Sequence, residues 1–405
     1  MTKNKNIICI SYTTWQGEYT KSTVQLLSIL AKDNNIFFIE YPRTYKDIIN
    51  SILGKRKAPV KRMLGLKKRI SHVSTSYKSI VKHVIMPPMI PINFIKTKRL
   101  FKILNKINTN IYKHQLQKII KKHQLSDTII ISAYNPVFGL PVLGKIGQIL
   151  DIYYCYDGMD NLRNHWMTIE LEKIYCKRVD GIICSSTFLQ NQKIKLNKNT
   201  FVVRNGVNFN LFSKAKKNFS NSKKGLKKVG YIGSIDYRFD IELMEYIINL
   251  YPEIIFEFTG SILRNEVVKK LKQFDNVEFL PAISPHDVPK ILATYDAGII
   301  PYNNLEINKG IYPLKINEYL AVGLPVIMTN FAPLQEFESV ISISKNKNEF
   351  AANLYSEIIN DSEDLINKRI EFARNNSWEN RAQKFEKILS EQFINKINKI
   401  YDSSN

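Results

Sequence analysis

The sequence predicts an α/β protein of two successive domains, each a parallel sheet with helices on both faces. Its 405 residues exceed the usual size of one domain. Short apolar runs typical of buried parallel strands alternate with helical patterns along the chain. A polar segment at residues 211–228, rich in Lys, Ser and Asn, separates two series of such runs. This segment is interpreted as an interdomain linker.

The first series begins with a strand, a helix and a strand at residues 6–11, 23–31 and 35–41. Two strands joined by a crossover helix pair in parallel, so this unit predicts the start of a parallel sheet. Further strands of the same sheet are predicted at residues 127–132, 149–156, 181–185 and 200–203. The first domain is therefore predicted to span residues 1–210.

The second series follows the linker and predicts a doubly wound domain over residues 229–376. Its strands are predicted at residues 229–232, 254–259, 277–279, 297–300 and 326–328. Ligands of such folds bind at the carboxyl ends of the strands. The active site is therefore expected in a cleft that the two domains face.

Positive charge is concentrated in the first half of the chain. Residues 1–200 hold 33 Lys and Arg against 11 Asp and Glu, whereas the remainder holds 26 against 25. Between Asp47 and Asp127 there are 19 basic residues and no acidic one. Such a field attracts anionic lipid, nucleic acid or an acidic glycan. The predicted helix at residues 98–123 suits either a membrane surface or a core-facing position with a solvated lysine face.

Composition also argues against several classes of protein. The first apolar run is too short for a signal peptide, and no run of about 18 apolar residues predicts a transmembrane helix. The four cysteines lack metal or CxxC spacing and are interpreted as structural, as expected in a reducing cytoplasm. The six dispersed histidines show no ligand spacing, so neither a metal nor a cofactor is expected.

The most specific motif is PLKINEYLAVGLPVI at residues 313–327. It predicts a helix from Leu314, with Glu318 one turn in, that Gly323 and Pro325 end before the next buried strand. The motif resembles the donor site of glycosyltransferase-B enzymes. That resemblance implies that Glu318 binds the ribose hydroxyls of a nucleotide sugar while Lys315 and helix N-terminal amides face the diphosphate. The alternative is that Glu318 is a solvated residue paired with Lys315.

Other segments extend this resemblance over most of the chain. Residues 204–212 (RNGVNFNLF) are similar to the family's hinge segment, with Asn208 in place of the usual Asp. Residues 229–234 (VGYIGS) resemble its first strand and glycine loop, in which Gly233 and Ser234 approach the diphosphate. Residues 377–405 resemble its final helix, which crosses back to the first domain, and Ser377 is a suitable N-cap. Residues 156–160 and 180–186 look like those of teichuronic-acid-type and xanthan-type enzymes of bacterial surface polysaccharide assembly.

Glycosyl transfer requires a stabilised diphosphate leaving group and an activated acceptor hydroxyl. Arg238 is a further candidate for the diphosphate. Asp157 and Asp160 both follow a predicted strand, and either suits a general base. Many retaining members of the family carry a Glu at the position of Gly310, so inversion is favoured here, although backbone at Gly310 remains a candidate donor contact. The resemblance implies no metal requirement.

The resemblance implies that the first domain holds the acceptor, and the positive charge of that domain predicts a lipid-linked oligosaccharide at the inner face of the plasma membrane. A cytoplasmic, peripheral enzyme is therefore predicted. Its membrane contacts are predicted to be Lys55, Arg56, Lys61, Arg62, Lys67, Lys68 and Arg69. Two rival interpretations remain: a nucleotide-sugar epimerase on the same scaffold, and a nucleic-acid-binding protein. No zinc-finger, ribonucleoprotein or helix-turn-helix signature is found, so nucleic acid is not an expected partner.

Overall fold

The structure is a computed structural model that describes residues 4–17, 21–159, 165–217 and 226–402. Its described residues form two compact units. Unit 1 contains the chain up to Val203 together with the residues from Ala382 onward, and unit 2 contains Arg204–Arg381. Each unit is built on a parallel sheet flanked by helices, which confirms the predicted fold class.

The sheet of unit 1 has eight strands in the described residues. They are β1 Asn6–Ser11, β2 Asn35–Ile39, β3 Ile70–Ser74, β4 Ile80–Val84, β5 Thr128–Ala133, β6 Leu150–Cys155, β7 Gly181–Cys184 and β8 Thr200–Val202. Their order across the sheet is β3-β4-β2-β1-β5-β6-β7-β8. All pairs are parallel except β3 with β4.

Helices cover both faces of this sheet because successive residues of a strand point to opposite sides. The helices are α1 Ser22–Leu30, α2 Tyr45–Ile52, α3 Val60–Met63, α4 Lys98–Lys122, α5 Pro136–Val142, α6 Trp166–Cys176 and α7 Thr187–Lys193. Ile7 of β1 belongs to one core cluster with Leu26 of α1. Its neighbour Ile8 belongs to the opposite cluster with Tyr112 of α4. The apolar runs of the sequence are therefore buried on both faces, as predicted.

The basic stretch contains two strands that the sequence did not predict. β3 and β4 pair antiparallel, with Ile70 opposite Val84 and Ser74 opposite Ile80. Only β4 joins the parallel part of the sheet, through β2. Because β3 lies at the edge and is at most half-buried, its side chains alternate weakly in polarity and give little strand signal.

Unit 2 contains a second sheet of six parallel strands in its described residues. They are β9 Lys227–Ile232, β10 Ile254–Thr259, β11 Val277–Leu280, β12 Ala297–Ile300, β13 Val326–Thr329 and β14 Ser342–Ser344, in the order β11-β10-β9-β12-β13-β14. Its helices are α8 Phe209–Phe212, α9 Ile241–Leu250, α10 Asn265–Leu271, α11 Val288–Leu292, α12 Leu314–Ala321, α13 Lys347–Ile359 and α14 Glu363–Asn375. All five strands predicted for this domain are present.

The boundary between the units differs from the predicted position after residue 210. Residues from Arg204 onward belong to unit 2, where Val207 pairs with Ser377 through a parallel β-bridge. Part of the predicted linker also packs on unit 2, because Lys217 is buried and its Nζ lies 2.9 Å from a carboxylate oxygen of Asp361. Residues 218–225 of the predicted linker lie outside the described residues.

The last helix, α15 Trp378–Asp402, begins in unit 2 and continues into unit 1. Ser377 Oγ accepts a hydrogen bond from the Asn380 N–H at 3.3 Å, which confirms the predicted N-cap. Phe385 and Phe393 belong to the same core cluster of unit 1 as Ile7. The sequence therefore placed both the start of this helix and its return to the first domain correctly.

Candidate functional site

Unit 2 has a cavity of about 220 Å³ next to the carboxyl ends of β9 and β10. Five of the six residues predicted to bind a donor line it: Gly233, Ser234, Arg238, Lys315 and Glu318. The remaining wall comes from Phe212, Ile232, Thr259, Gly260, Ala282, Ile283, Pro285, Val288 and Leu314. Residues far apart in the sequence are thus brought together at the edge where ligands of parallel sheets bind.

Two glycines let the loops after β9 and β10 approach each other closely. Gly233 and Gly260 have φ angles of +148° and +149°, which side-chain-bearing residues rarely adopt. A Cβ on Gly260 would collide with the backbone carbonyl of Gly233, and a Cβ on Gly233 would collide with the Lys315 side chain. The Gly233 N–H also donates to the Thr259 carbonyl at 2.8 Å. Both loops therefore present backbone rather than side chains to the cavity.

Helix α12 is fixed against the end of β9 by Tyr319, which is fully buried. The Ile232 N–H donates to the Tyr319 hydroxyl at 2.9 Å. Pro313 precedes the first helical residue, Leu314, so the helix begins where the sequence predicted. This anchoring holds the first turn of α12, with Lys315, beside the Gly233 loop.

The Lys315 ammonium group lies among aromatic rings. Its Nζ donates to the Tyr302 hydroxyl at 3.3 Å and lies 5.2 Å from the ring centroid of Tyr231. Burial raises the pKa of the Tyr302 phenol, but Lys315 and Arg238 outweigh burial and place that pKa below its ordinary value. In the described residues no carboxylate forms an ion pair with Lys315. Because no carboxylate of the described residues neutralises the positive charge of Lys315, that charge is available to an anion.

Glu318 lies one turn after Lys315 and is partly exposed to the cavity. Burial raises the pKa of its carboxyl group to about 7, against a smaller opposing effect of Lys315. The described residues contain no Lys315–Glu318 ion pair, so the alternative in which the two form a surface pair is wrong. A carboxylate held in a partly dry pocket without a protein partner is well suited to accept hydrogen bonds from ligand hydroxyls.

Arg238 lines the cavity as predicted, whereas Gly310 does not. The Arg238 guanidinium already makes a two-pronged ion pair with Asp236, with Nε to Oδ1 at 2.8 Å and Nη2 to Oδ2 at 2.5 Å. It also lies 5.1 Å from the ring centroid of Tyr302. Gly310 is itself buried at the end of a 3₁₀ turn at Glu306–Gly310 and does not line the cavity. Arg238 thus forms part of the cavity wall, and its charge is neutralised by Asp236. That Gly310 contacts a donor stays a prediction, which the cavity lining does not support.

The far wall of the cavity contains residues that the sequence did not predict. Thr259 ends β10 and Gly260 follows it, while Ile283 and Pro285 follow β11. The run FEFTG did carry a signal, because a glycine directly after a buried strand often marks close backbone approach. Ile283, Pro285 and Val288 make this wall apolar, which suits the flat face of a nucleobase.

The proposed general bases belong to unit 1. Asp157 follows β6, and its Oδ1 accepts a hydrogen bond from the Gly158 N–H at 2.8 Å. The Gly158 carbonyl accepts one from the Tyr134 hydroxyl at 2.6 Å, which ties this loop to the end of β5. Asp160 lies outside the described residues. The roles of both aspartates therefore stay predictions.

The predicted membrane contacts are of two kinds. Lys55, Arg56, Lys61, Lys67 and Lys68 are exposed. Arg62 and Arg69 are only partly exposed, and each supports the fold. Arg62 Nη2 donates to the Arg69 carbonyl at 2.7 Å and to that of His83 at 3.0 Å, while Arg69 Nη2 donates to the Met63 carbonyl at 3.0 Å. The side chains of these two arginines hold neighbouring backbone segments together and are not free surface charges.

In the described ranges, no cluster of three or more His, Cys, Asp or Glu residues is arranged to hold a metal ion. All four cysteines are buried and unpaired, which supports their structural interpretation. None of the described helices combines the length and the apolarity needed to cross a bilayer.

Comparison with known proteins connects this geometry to a family. Residues 227–360 match the family of glycosyl transferases group 1. Over 164 residues the chain is 30% identical to TuaH of Bacillus subtilis (strain 168), named as a teichuronic acid biosynthesis glycosyltransferase. That match covers 38% of this chain and 41% of TuaH, so the chain spans about two fifths of the relative's length.

Two solved structures match nearly the whole chain. Sucrose-phosphate synthase from Thermosynechococcus elongatus superposes with a TM-score of 0.68 at 14% identity, covering 96% of this chain and 100% of that one. HepE from Anabaena in complex with UDP superposes with a TM-score of 0.65 at 13% identity, again over 96% and 100%. At these identities the likeness shows the fold alone. Residues 227–360 are thus similar to glycosyl transferases group 1, and the two solved structures share the fold of this chain.

Proposed function

We propose that this protein is a glycosyltransferase that moves a sugar from a nucleotide diphosphate sugar, UDP- or GDP-linked, to a hydroxyl of a lipid-linked oligosaccharide. One observation carries the proposal. Lys315, Glu318 and the two glycine loops meet at one cavity at the carboxyl edge of the unit 2 sheet. A cation, exposed backbone and a carboxylate at that spacing match the diphosphate and ribose of a nucleotide.

In this reaction the acceptor oxygen forms a bond to the anomeric carbon as the bond from that carbon to the diphosphate breaks. The departing nucleoside diphosphate takes the bonding electrons, and Lys315 offsets the added negative charge. The proton of the acceptor hydroxyl passes to a base, for which Asp157 and Asp160 are the candidates, and the sugar is transferred with inversion. These residues perform each step without a metal ion.

The acceptor part of the proposal rests on charge and on the relatives. The first half of the chain is strongly basic, which favours an anionic acceptor at an anionic membrane. The teichuronic acid role in the name of TuaH supports a bacterial surface polysaccharide as the product. The UDP in the HepE complex supports a nucleotide donor. A peripheral enzyme at the inner face of the plasma membrane would meet both substrates.

The test is a panel of UDP- and GDP-sugars examined first by thermal shift and then by turnover. We expect one donor to raise the Tm, because a bound ligand stabilises only the folded state. Release of the nucleoside diphosphate should then increase several-fold when membrane lipid extract is added. Donor consumption that is equally fast without any acceptor would favour an epimerase instead. If no nucleotide sugar or nucleoside diphosphate binds, the proposal fails.

A further inference from the structure

Unit 1 contains the larger of the two cavities described here, with a volume of about 820 Å³. Helices α2 and α4 both border it, α2 through Lys46 and Asn50 and α4 through Phe101. One part of the wall is aromatic, with the rings of Tyr12 and Tyr41 centred 4.9 Å apart. Both helices therefore contribute residues to the lining of one cavity.

Helix α2 carries a row of exposed apolar side chains. Tyr45, Ile49 and Ile52, with Leu53 just after the helix, have exposed fractions of 51%, 56%, 76% and 59%. They recur at intervals of four, three and one residues, which places them on one side of the helix. Ile48 is buried and holds the other side against the unit. The exposed row is therefore additional to the side that the fold uses.

Helix α4 has the same arrangement in its first half. Leu100, Ile103 and Ile107 are 46%, 52% and 43% exposed. The opposite side is buried through Phe101 and Tyr112. The sequence left open whether this helix faces the core or a membrane, and the structure shows one buried and one exposed apolar side. Just before α4, Phe94 lines the cavity and is 74% exposed.

Cations surround both exposed rows. They are Lys46, Lys55, Arg56 and Lys57 around α2, and Lys96, Arg99, Lys102 and Lys106 around α4, all exposed. In residues 45–57 and 94–107 the single acidic residue is Asp47. Its carboxylate caps α2 by accepting from the Thr44 N–H at 2.7 Å and pairs with Arg56 at 3.4 Å. The surface thus combines protruding aliphatic side chains with uncompensated positive charge.

We propose that the exposed faces of α2 and α4 insert into the interface of an anionic bilayer and hold the mouth of the unit 1 cavity against it. This docking surface consists of Tyr45, Ile49, Ile52, Leu53, Phe94, Leu100, Ile103 and Ile107. The inference rests on the proposed function, because it names the partner from which the acceptor arrives. An acceptor lipid would keep its chain in the bilayer while its anionic head enters the cavity toward Arg43, Lys46 and Arg56.

Charge decides between a bilayer and other partners for this surface. A second copy of the chain docking face to face would bring two cationic surfaces together, which costs free energy. An anionic bilayer instead satisfies both features, since it attracts the lysines and buries the aliphatic side chains. The docking surface also differs from the predicted membrane contacts at residues 55–69, because its aliphatic side chains, rather than its charges, insert into the bilayer.

The experiment compares vesicle binding of the full-length protein and three double variants. The probes are phosphatidylcholine vesicles with and without phosphatidylglycerol, at low and high salt. I52S/L53S and I103S/I107S remove aliphatic groups from the docking surface. I174S/I194S is the matched control, because Ile174 and Ile194 are 45% and 44% exposed in the same unit but outside the cavity rim. All four side chains in the test variants are exposed, so circular dichroism should show intact folding.

We expect the unmodified protein and the control to sediment with the phosphatidylglycerol vesicles, and each test variant to bind at least about tenfold more weakly. Binding of the test variants that equals the control would overturn the inference. So would a loss of self-association in I52S/L53S without vesicles, since that would identify a second copy as the partner. Donor binding, followed by thermal shift, should be unchanged in all three variants. If the unmodified protein bound no donor, the proposed function would be refuted. The docking inference would then be decided by the vesicle results alone.

Discussion

The hydroxyl of Tyr319 accepts a hydrogen bond from the backbone N–H of Ile232 at 2.9 Å, and Ile232 lines the cavity of unit 2. Ile232 ends β9, directly before the Gly233 loop, whereas Tyr319 lies in α12 one turn after Lys315. The bond therefore sets the position of the cation relative to the loop amides. A phenylalanine at position 319 could fill the same buried space but could not accept the hydrogen bond from Ile232.

Tyr319→Phe should lower the free energy of unfolding by about 1–3 kcal/mol, because a buried N–H loses its acceptor. Tyr355→Phe is the control, since Tyr355 is 53% exposed in the same unit. Calorimetry gives the stability, and hydrogen exchange at the Ile232 amide should accelerate in Tyr319→Phe alone. Equal stability of the two variants would mean that the bond contributes nothing net.

Lys315→Gln should weaken binding of the nucleoside diphosphate by about ten- to a hundredfold, because a charge-assisted contact to the diphosphate is lost. Binding of the nucleoside without phosphates should hardly change. Isothermal titration with both ligands separates these effects. Lys269→Gln, at an exposed site on α10, is the control and should bind both ligands normally. A similar loss of nucleoside affinity in Lys315→Gln would instead indicate that the helix has shifted.

Glu318 should make stability depend on pH. Its folded pKa of about 7 lies above the ordinary value of 4.5, so the folded state favours the protonated carboxyl group. The stabilisation is complete below the unfolded pKa and is lost as the pH rises through the folded one. Glu318→Gln stays neutral throughout and should therefore gain Tm over the unmodified protein between about pH 5 and about pH 8.

The same Glu318→Gln variant should bind the nucleoside more weakly above about pH 7, where Glu318 is ionised, because an amide is a poorer acceptor for ribose hydroxyls than a carboxylate. Thermal unfolding across the pH range, with and without nucleoside, measures both effects. A Tm difference between variant and unmodified protein that is constant with pH would contradict the raised pKa. Unchanged nucleoside affinity would remove Glu318 from the proposed site.

Gly260→Ala tests the contact between the two glycine loops. Gly147→Ala is the control, because Gly147 also has a positive φ of +83° but has no atom within 4 Å of an added Cβ. The control should cost about 1 kcal/mol through backbone strain alone. Gly260→Ala should cost about 1–3 kcal/mol more, since its Cβ meets the Gly233 backbone, and should lower donor affinity. Equal costs in calorimetry would show that the loops separate freely.

Most residues predicted for the donor site line one cavity, and the reason that the sequence brought them together is local. Helical periodicity places Lys315 and Glu318 at the start of α12, and the glycine after β9 follows directly from the strand pattern. The glycine after β10 was a local signal for close backbone approach, but its place beside Gly233, like that of Ile283, depends on the order β11-β10-β9, which no local pattern encodes. Contacts across a sheet require the tertiary fold.

Errors in the sequence-based interpretation also came from non-local pairing. Lys217 looks like part of a polar linker, yet Asp361, distant in sequence, lets it be buried. Arg62 and Arg69 look like membrane contacts, yet backbone carbonyls of neighbouring segments hold them. Whether a charged residue faces solvent depends on partners that composition does not reveal.

The return of α15 to unit 1 has a consequence for biosynthesis. Unit 2 is continuous in the chain, so Arg204–Arg381 can emerge from the ribosome and collapse as one piece. The core around Ile7 and Leu26, in contrast, stays incomplete until Phe385 and Phe393 have been translated. The part of the protein that is made first is thus the last to close. During synthesis its apolar strand edges are exposed, and chaperones or rapid completion of the fold must protect them from aggregation.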